Sequence, residues 1–309
     1  MHAASPYSEL LNRIPETRRT ADVAGTATAY WEYGPVDAET TIVAVHGFRG
    51  DHHGLEPVVA HLQNVRWIMP DLPGFGATGP FATRDHDLDA YTEWLAAFAR
   101  EVAPGAVILG HSFGSIVAAA AVARGLQAPA LVLVNPIGAP ALEGPRGILT
   151  RLAVLYYWAG ARLPERLGTW LLRAPLIVRI MSIAMAKTRE RRLRRWIHDQ
   201  HDRFFSGFAN RETLRQAFVT SVSHDVRESA AGITVPTLLV AAVQDDITPI
   251  AAERRLRELI DDATLVEIDG VGHLIHYEKP REAAAAIDEF LSGVPRGGRA
   301  PSDPSRGTE

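Results

Sequence analysis

Short, mainly apolar runs recur along the chain, and each gives way to a polar turn and then to a longer stretch with helical spacing. Thr41 to Val45, Val65 to Pro70, Val107 to Leu109, Leu131 to Val134, Pro236 to Val243 and Thr264 to Ile268 are such runs. A strand with no polar alternation is one buried on both faces of a sheet. Between the runs, Gly54 to Leu62, Asp87 to Val102, the alanine-rich segment from Ile116, the residues from Pro249 to about Ile260, and Pro280 to Leu291 read as helices. In the second of these, Leu88, Tyr91, Leu95 and Phe98 share one face. Strand and helix in alternation predict an α/β fold built on a mostly parallel, doubly wound sheet. Ahead of it, residues from about Arg18 to Tyr33 alternate small, β-branched and aromatic side chains around Gly25, which suggests a hairpin.

The rhythm breaks after Asn135-Pro136. From residue 137 to about 225 there is no good strand, only helical stretches with many leucines and with Trp158, Trp170 and Trp196. An apolar stretch there, Ala174 to Ala186, carries Arg179 and is too short to span a bilayer. It predicts a buried or pocket-lining helix. The basic run from Lys187 to Arg195 reads as a solvated helix face, with a patch for an anionic group or membrane surface as the alternative. The whole segment is expected to be a helical cap over the carboxyl edge of the sheet, where Trp158 and Trp170 would line an apolar pocket. The expected organisation is then an N-terminal extension over 1–20, a first core part over 21–136, the cap over 137–225, a second core part over 226–293, and a disordered tail over 294–309.

Composition narrows the chemistry. The 309 residues suit one large domain with an insertion, and a net charge of −4 gives no reason to expect nucleic acid as a partner. Cysteine is absent, which removes disulfides, thiolate metal sites and a cysteine nucleophile together. Residues 1–20 lack the apolar centre of a secretory signal, so a cytoplasmic location and no stable membrane insertion are expected. Histidines cluster twice, at His46 with Asp51, His52 and His53, and at His198 with His201. Neither set has a further ligand at a recognised spacing, so no metal is expected. Arg49-Gly50-Asp51 matches an adhesion motif by coincidence.

The candidate chemistry sits where strands end. Gly110-His111-Ser112-Phe113-Gly114 follows a β-branched run and leads straight into a helix. A serine hydroxyl becomes a useful nucleophile when a tight turn exposes it beside a base and near donors for an oxyanion. Glycines on either side let strand and helix approach closely around such a turn. His46-Gly47-Phe48 ends the Thr41 strand, and the N–H groups of Phe48 and Phe113 are candidate oxyanion donors. His46, Gly47 and His111 would adjoin the substrate. Asp245-Asp246 and Gly272-His273 each follow a later strand, giving the order serine, acid, histidine.

His46-Gly47-Phe48, Asp71-Leu72-Pro73-Gly74-Phe75-Gly76, Gly110 to Gly114, Asp245 with Pro249, and Gly272-His273 with Glu278-Lys279-Pro280 together resemble the α/β-hydrolase family over about residues 30–290. The resemblance implies Ser112 as nucleophile, His273 as base and then acid, and Asp245 as the orienting carboxylate, with no cofactor. Neighbours on an extended segment point opposite ways, so only one of Asp245 and Asp246 can face His273; the family spacing to Pro249 favours Asp245. His276 is the second base candidate, and the neutral Asn135 stands where some members carry the acid. Ala242, Ser115 and Asp246 depart from the residues frequent at their places. The expected activity is hydrolysis of a carboxylic ester with an apolar acyl or alcohol part through an acyl-enzyme, acting on a small apolar molecule. A carbon–carbon bond hydrolase, an aminopeptidase and a non-catalytic receptor on the same fold are the alternatives. In the first of these an arginine between Arg189 and Arg195 would hold a substrate carboxylate. Oligomeric state is not written in the sequence.

Overall fold

A computed structural model describes residues 3–140 and 147–294. Eight strands form one sheet: β1 Glu16–Val23, β2 Thr26–Tyr33, β3 Thr41–Val45, β4 Arg66–Pro70, β5 Val107–His111, β6 Leu131–Val134, β7 Thr237–Ala242 and β8 Ala263–Ile268. Their spatial order is β1-β2-β4-β3-β5-β6-β7-β8. The hairpin β1–β2 joins β4 antiparallel, and all pairs from β4 to β8 are parallel. The strands from β3 to β7 are buried almost throughout, as continuous apolar runs require.

Helices cover both faces. On one, Leu88–Val102 and Phe113–Ala123 pack in the core with Val43, Ile108 and Leu133. On the other, Glu56–His61 and Pro280–Gly293 pack with Ile42, Val132 and Leu238. The Leu88 helix starts where the Asp87 carboxylate accepts the Ala90 N–H at 2.8 Å, which satisfies one of its free amides. Between β6 and β7 lie five longer helices, Gly147–Arg162, Glu165–Leu172, Pro175–Met185, Arg191–Phe204 and Arg211–Ser223.

This insertion is pinned to loops that follow the carboxyl ends of strands. Gly76 N–H, past β4, donates to Gly207 O at 2.8 Å, and Ala209 N–H donates to Gly74 O at 2.9 Å. Lys187 pairs with Asp246 past β7, and its own N–H donates to the Glu278 carboxylate at 2.6 Å. The deepest tether is Arg49, past β3 and only 2 % exposed. Its guanidinium donates to Phe205 O (2.8 Å), Leu172 O (2.9 Å) and the Tyr157 hydroxyl (3.2 Å). The insertion therefore lies over the carboxyl edge of the sheet.

Three expectations need adjusting. β1 begins at Glu16, inside the stretch expected as an extension, because an exposed edge strand has no apolar run to betray it. The Pro175–Met185 helix is buried on one side only: Val178 and Ser182 face inward, while Leu176 is 71 % exposed and Ile180 and Ile183 also face outward. All of the expected disordered tail except Val294 lies outside the described residues.

Candidate active site

β5 delivers Ser112 into a turn that no ordinary residue favours, with φ of +53° and ψ of −118°. Such a conformation persists only where its surroundings fix it. Here Ser112 N–H donates to Val134 O on β6 at 3.1 Å, and Ser112 O accepts from Ser115 N–H at 2.8 Å and from the Ser115 hydroxyl. The flanking glycines permit it sterically. A Cβ on Gly110 would sit 2.3 Å from Gly114 O, and one on Gly114 would sit 2.4 Å from Val45 O. Any side chain at either place would force the helix off the sheet.

Two distant loops close on this turn. The Ser112 hydroxyl donates to His273 Nε2 at 2.8 Å, and His273 Nδ1–H donates to Asp245 Oδ2 at 2.8 Å. A carboxylate only accepts, so the Asp245 bond fixes the proton on Nδ1 and leaves Nε2 free to take one. Asp245 is held from every side: Ile247 N–H (2.7 Å) and Thr248 N–H (3.3 Å) donate to Oδ1, and Asn135 Nδ2 donates to Oδ2 at 3.1 Å. Burial alone would raise its pKa. The facing His273, its hydrogen bond and the backbone donors outweigh that and hold Asp245 below the usual carboxylate range. Asp246 turns away to Lys187.

Beside Asp245 lies a second acid. Glu253 is buried, and burial together with the Asp245 charge pushes it well above the usual carboxylate range. His276 does not reach Ser112. It packs against His111 with ring centroids 4.1 Å apart and is held far below the usual histidine range by burial and by the neighbouring imidazoles.

The N–H groups of Phe48 and Phe113 have no partner among the described residues, and Gly47 brings the first loop against Ser112. A Cβ on Gly47 would come within 3.2 Å of Ser112 Cβ. His46 holds this loop in place: its Nε2 accepts the Leu72 N–H at 2.9 Å while Nδ1–H donates to Gly47 O at 2.8 Å. With both ring nitrogens committed and the ring buried, His46 braces the loop and does not present itself to a substrate. His111 is likewise turned inward among His273, His276 and Gly47, and burial drives its pKa down to about 3.

The insertion contributes differently from expectation. Trp158 and Trp170 are 54 % and 69 % exposed and stand on its outer surface, because their helices bury the opposite stripes through Tyr157 and Leu172. Tyr157 and Phe218 reach inward instead, stacked on one another at 4.0 Å and both against Phe48. Arg189, Arg191, Arg192 and Arg195 face water. The roles of Tyr157, Phe218, Arg49 and the brace Asn135 escaped the sequence reading; the only signal was that Asn135 directly follows β6 and Arg49 lies in the loop after β3.

Both histidine clusters are engaged in hydrogen bonds within the fold. Asp51, His52 and His53 bring ligand atoms within 4.8 Å of one another. His52 Nδ1 is bonded to Asp71 and His53 Nδ1 to Asp51, while their rings stack on Trp31 and Phe204. His198 and His201 share the buried Ser182 hydroxyl through Nδ1, at 2.6 and 2.7 Å.

A hydroxyl, an imidazole and a carboxylate in one line beside two free amides can attack a carbonyl carbon and hold the oxyanion that results. Comparison with known proteins agrees with a hydrolase. Pimeloyl-[acyl-carrier protein] methyl ester esterase of Xylella fastidiosa is 24% identical over 268 residues, covering 85% of this chain and 97% of its own. A bifunctional biotin-biosynthesis protein of Cellvibrio japonicus is 26% identical over 264 residues, 81% of this chain, which spans 47% of that longer protein. Among solved structures, an esterase from Thermogutta terrifontis superposes with a TM-score of 0.70 at 21% identity, covering 90% of this chain and 99% of the other. The enol-lactonase of Burkholderia xenovorans gives 0.70 at 21% identity, over 89% and 100%. With the family's model matched over residues 42–287, the chain belongs to the alpha/beta hydrolase family.

Proposed function

We propose that this hydrolase cleaves a carboxylic ester with an apolar acyl or alcohol part through an acyl-enzyme on Ser112. The observation that carries the reading is the unbroken line from Ser112 Oγ through His273 to Asp245, with both links at 2.8 Å. In this reading His273 Nε2 takes the serine proton as Oγ attacks the ester carbonyl carbon. The oxyanion is received by the N–H groups of Phe48 and Phe113. His273 then gives its proton to the departing alkoxide, and the acyl group stays on Ser112. Water, deprotonated by the same imidazole, releases the carboxylic acid. Asp245 keeps the ring oriented and stabilises its positive charge, a task that suits a carboxylate held below its usual range.

Phe48, Tyr157 and Phe218 form an aromatic wall beside the amide of Phe48, which favours an apolar group over a charged one. Relatives named as a methyl ester esterase and an enol-lactonase support acyl chemistry. The carbon–carbon rival needs an arginine to hold a substrate carboxylate, and Arg189, Arg191, Arg192 and Arg195 of the basic run face water instead.

A panel of nitrophenyl esters of graded acyl length tests the reading. Turnover with an apolar acyl group, lost by about 10⁴-fold or more in Ser112→Ala, is the expected result. Turnover that survives Ser112→Ala in pure protein would overturn it.

A further inference from the structure

Ten of the fourteen large apolar side chains exposed among the described residues fall between Leu152 and Ile183. Scattered exposed leucines are ordinary, but a concentration on one part of a surface marks a place where something docks. The spacing makes the pattern deliberate. On the Gly147–Arg162 helix, Leu152, Leu155 and Trp158 follow one another at three residues, which keeps them on one outward stripe. Leu167 and Trp170 repeat this on the Glu165–Leu172 helix. Leu176, Ile180 and Ile183 do so at four and three residues on Pro175–Met185. Each helix thus carries one apolar stripe inward and a second one outward.

Charge identifies the occupant. The insertion from 147 to 223 holds fourteen basic and five acidic residues, a net charge of +9, whereas the whole chain carries −4. Arginines are interleaved with the outward stripe. Arg162 lies over the Trp158 ring, 5.9 Å from its centroid, and Arg166 and Arg173 line an open cleft with Trp170 and Pro175. Arg189, Arg191, Arg192 and Arg195 are exposed with no carboxylate partner among the described residues. A second copy docking through the same face would set one net-positive insertion against another, so self-association is disfavoured. The stretch Glu165–Met185 is long and apolar enough to cross a membrane, yet it carries Arg166, Arg173 and Arg179 and breaks between its two helices. That pattern suits helices lying along an interface.

We propose that the outer face of the insertion docks on an anionic lipid bilayer, with the leucine, isoleucine and tryptophan stripe set among the headgroups and the arginines on lipid phosphates. Tryptophan at a headgroup boundary and arginine on phosphate follow from their amphipathic and bidentate chemistry. The surface is separate from Ser112, so the proposal stands whether or not the ester chemistry does.

Vesicle flotation of the full chain tests it. At about 0.1 M salt the protein floats with vesicles of phosphatidylcholine containing about one-third phosphatidylglycerol, and at least about tenfold less with phosphatidylcholine alone. The combined variant Leu167→Ser, Leu176→Ser, Ile180→Ser loses flotation about tenfold or more, with unchanged circular dichroism and melting temperature. Arg191→Glu with Arg192→Glu and Arg195→Glu does the same. Wild-type protein that stays in the soluble fraction with anionic vesicles would overturn the proposal, as would undiminished flotation of the triple-serine variant. Light scattering that shows a dimer, made monomeric by the serine variant, would assign the face to a second copy instead.

Discussion

The loops around Ser112 and the outer face of the insertion are built on opposite terms. Around Ser112 nearly every group is committed: Asp245 receives four hydrogen bonds, His46 uses both ring nitrogens, and Gly110 and Gly114 have no room for a Cβ. On the outer face, Trp170 and Leu176 touch water over most of their surface. The first region has one arrangement available to it and the second has surface left over. Chemistry that depends on fractions of an ångström belongs in the first; variation and docking can be accommodated in the second.

The largest effect should come from the committed region. Ser112→Ala and His273→Ala each lower kcat/KM by roughly 10⁴-fold or more, and the double variant costs little beyond either, because the two residues act as a unit. Steady-state kinetics on all three proteins checks this; strictly additive losses would separate the residues and dissolve the comparison.

Next comes the bridge between the two regions. Arg49→Met leaves Phe205 O and Leu172 O without their donor and releases the insertion from the Phe48 loop. Losing hydrogen bonds to a buried charge costs about 3 kcal/mol, visible as a lower melting temperature. Hydrolysis should fall roughly tenfold or more as the oxyanion loop loosens. A melting temperature equal to wild type would show that the insertion is held elsewhere.

Acid should attack the committed interior. His111 and His201 are buried and held down to about 3, far below the ~6.5 of an unfolded chain. As pH falls from about 6.5 toward 3, the unfolded chain takes up protons that the fold refuses, so stability declines by up to ~1.4 kcal/mol per pH unit for each such histidine. Above pH 6.5 these groups contribute no slope. Glu253 has the opposite sign: its raised folded value means that stability present in acid is lost as pH rises through it. Urea midpoints measured against pH should therefore flatten on the acid side in His111→Gln and rise on the alkaline side in Glu253→Gln. Identical profiles for wild type and both variants would contradict this.

The smallest effect belongs to the outer face. Trp158→Ala and Trp170→Ala should change hydrolysis of a soluble ester by less than about twofold, since both rings lie more than half exposed to water. A several-fold rise in KM would return them to the substrate pocket.

The same contrast explains what the amino-acid order discloses. Buried parallel strands are legible as apolar runs, and the glycines around Ser112 are legible because no other residue fits. Periodicity in the insertion shows that a helix has an apolar stripe, but not which of two stripes meets the core, so Trp158 and Trp170 read as inward-facing while Tyr157 and Phe218 give no signal. β1 opens with Glu-Thr-Arg-Arg-Thr because an edge strand faces solvent, which hides it among loops. Arg49 was illegible for another reason: a buried guanidinium held by carbonyls leaves no spacing in the chain.

Intact-protein and peptide mass spectrometry after treatment with a fluorophosphonate tests the central claim most directly. A Ser112 nucleophile predicts a single adduct, on the peptide containing Ser112, that is absent in Ser112→Ala and slowed at least about tenfold in Asp245→Asn, where the imidazole loses its anionic partner. Folded wild-type protein that takes up no adduct, or takes it up on another residue, would contradict it.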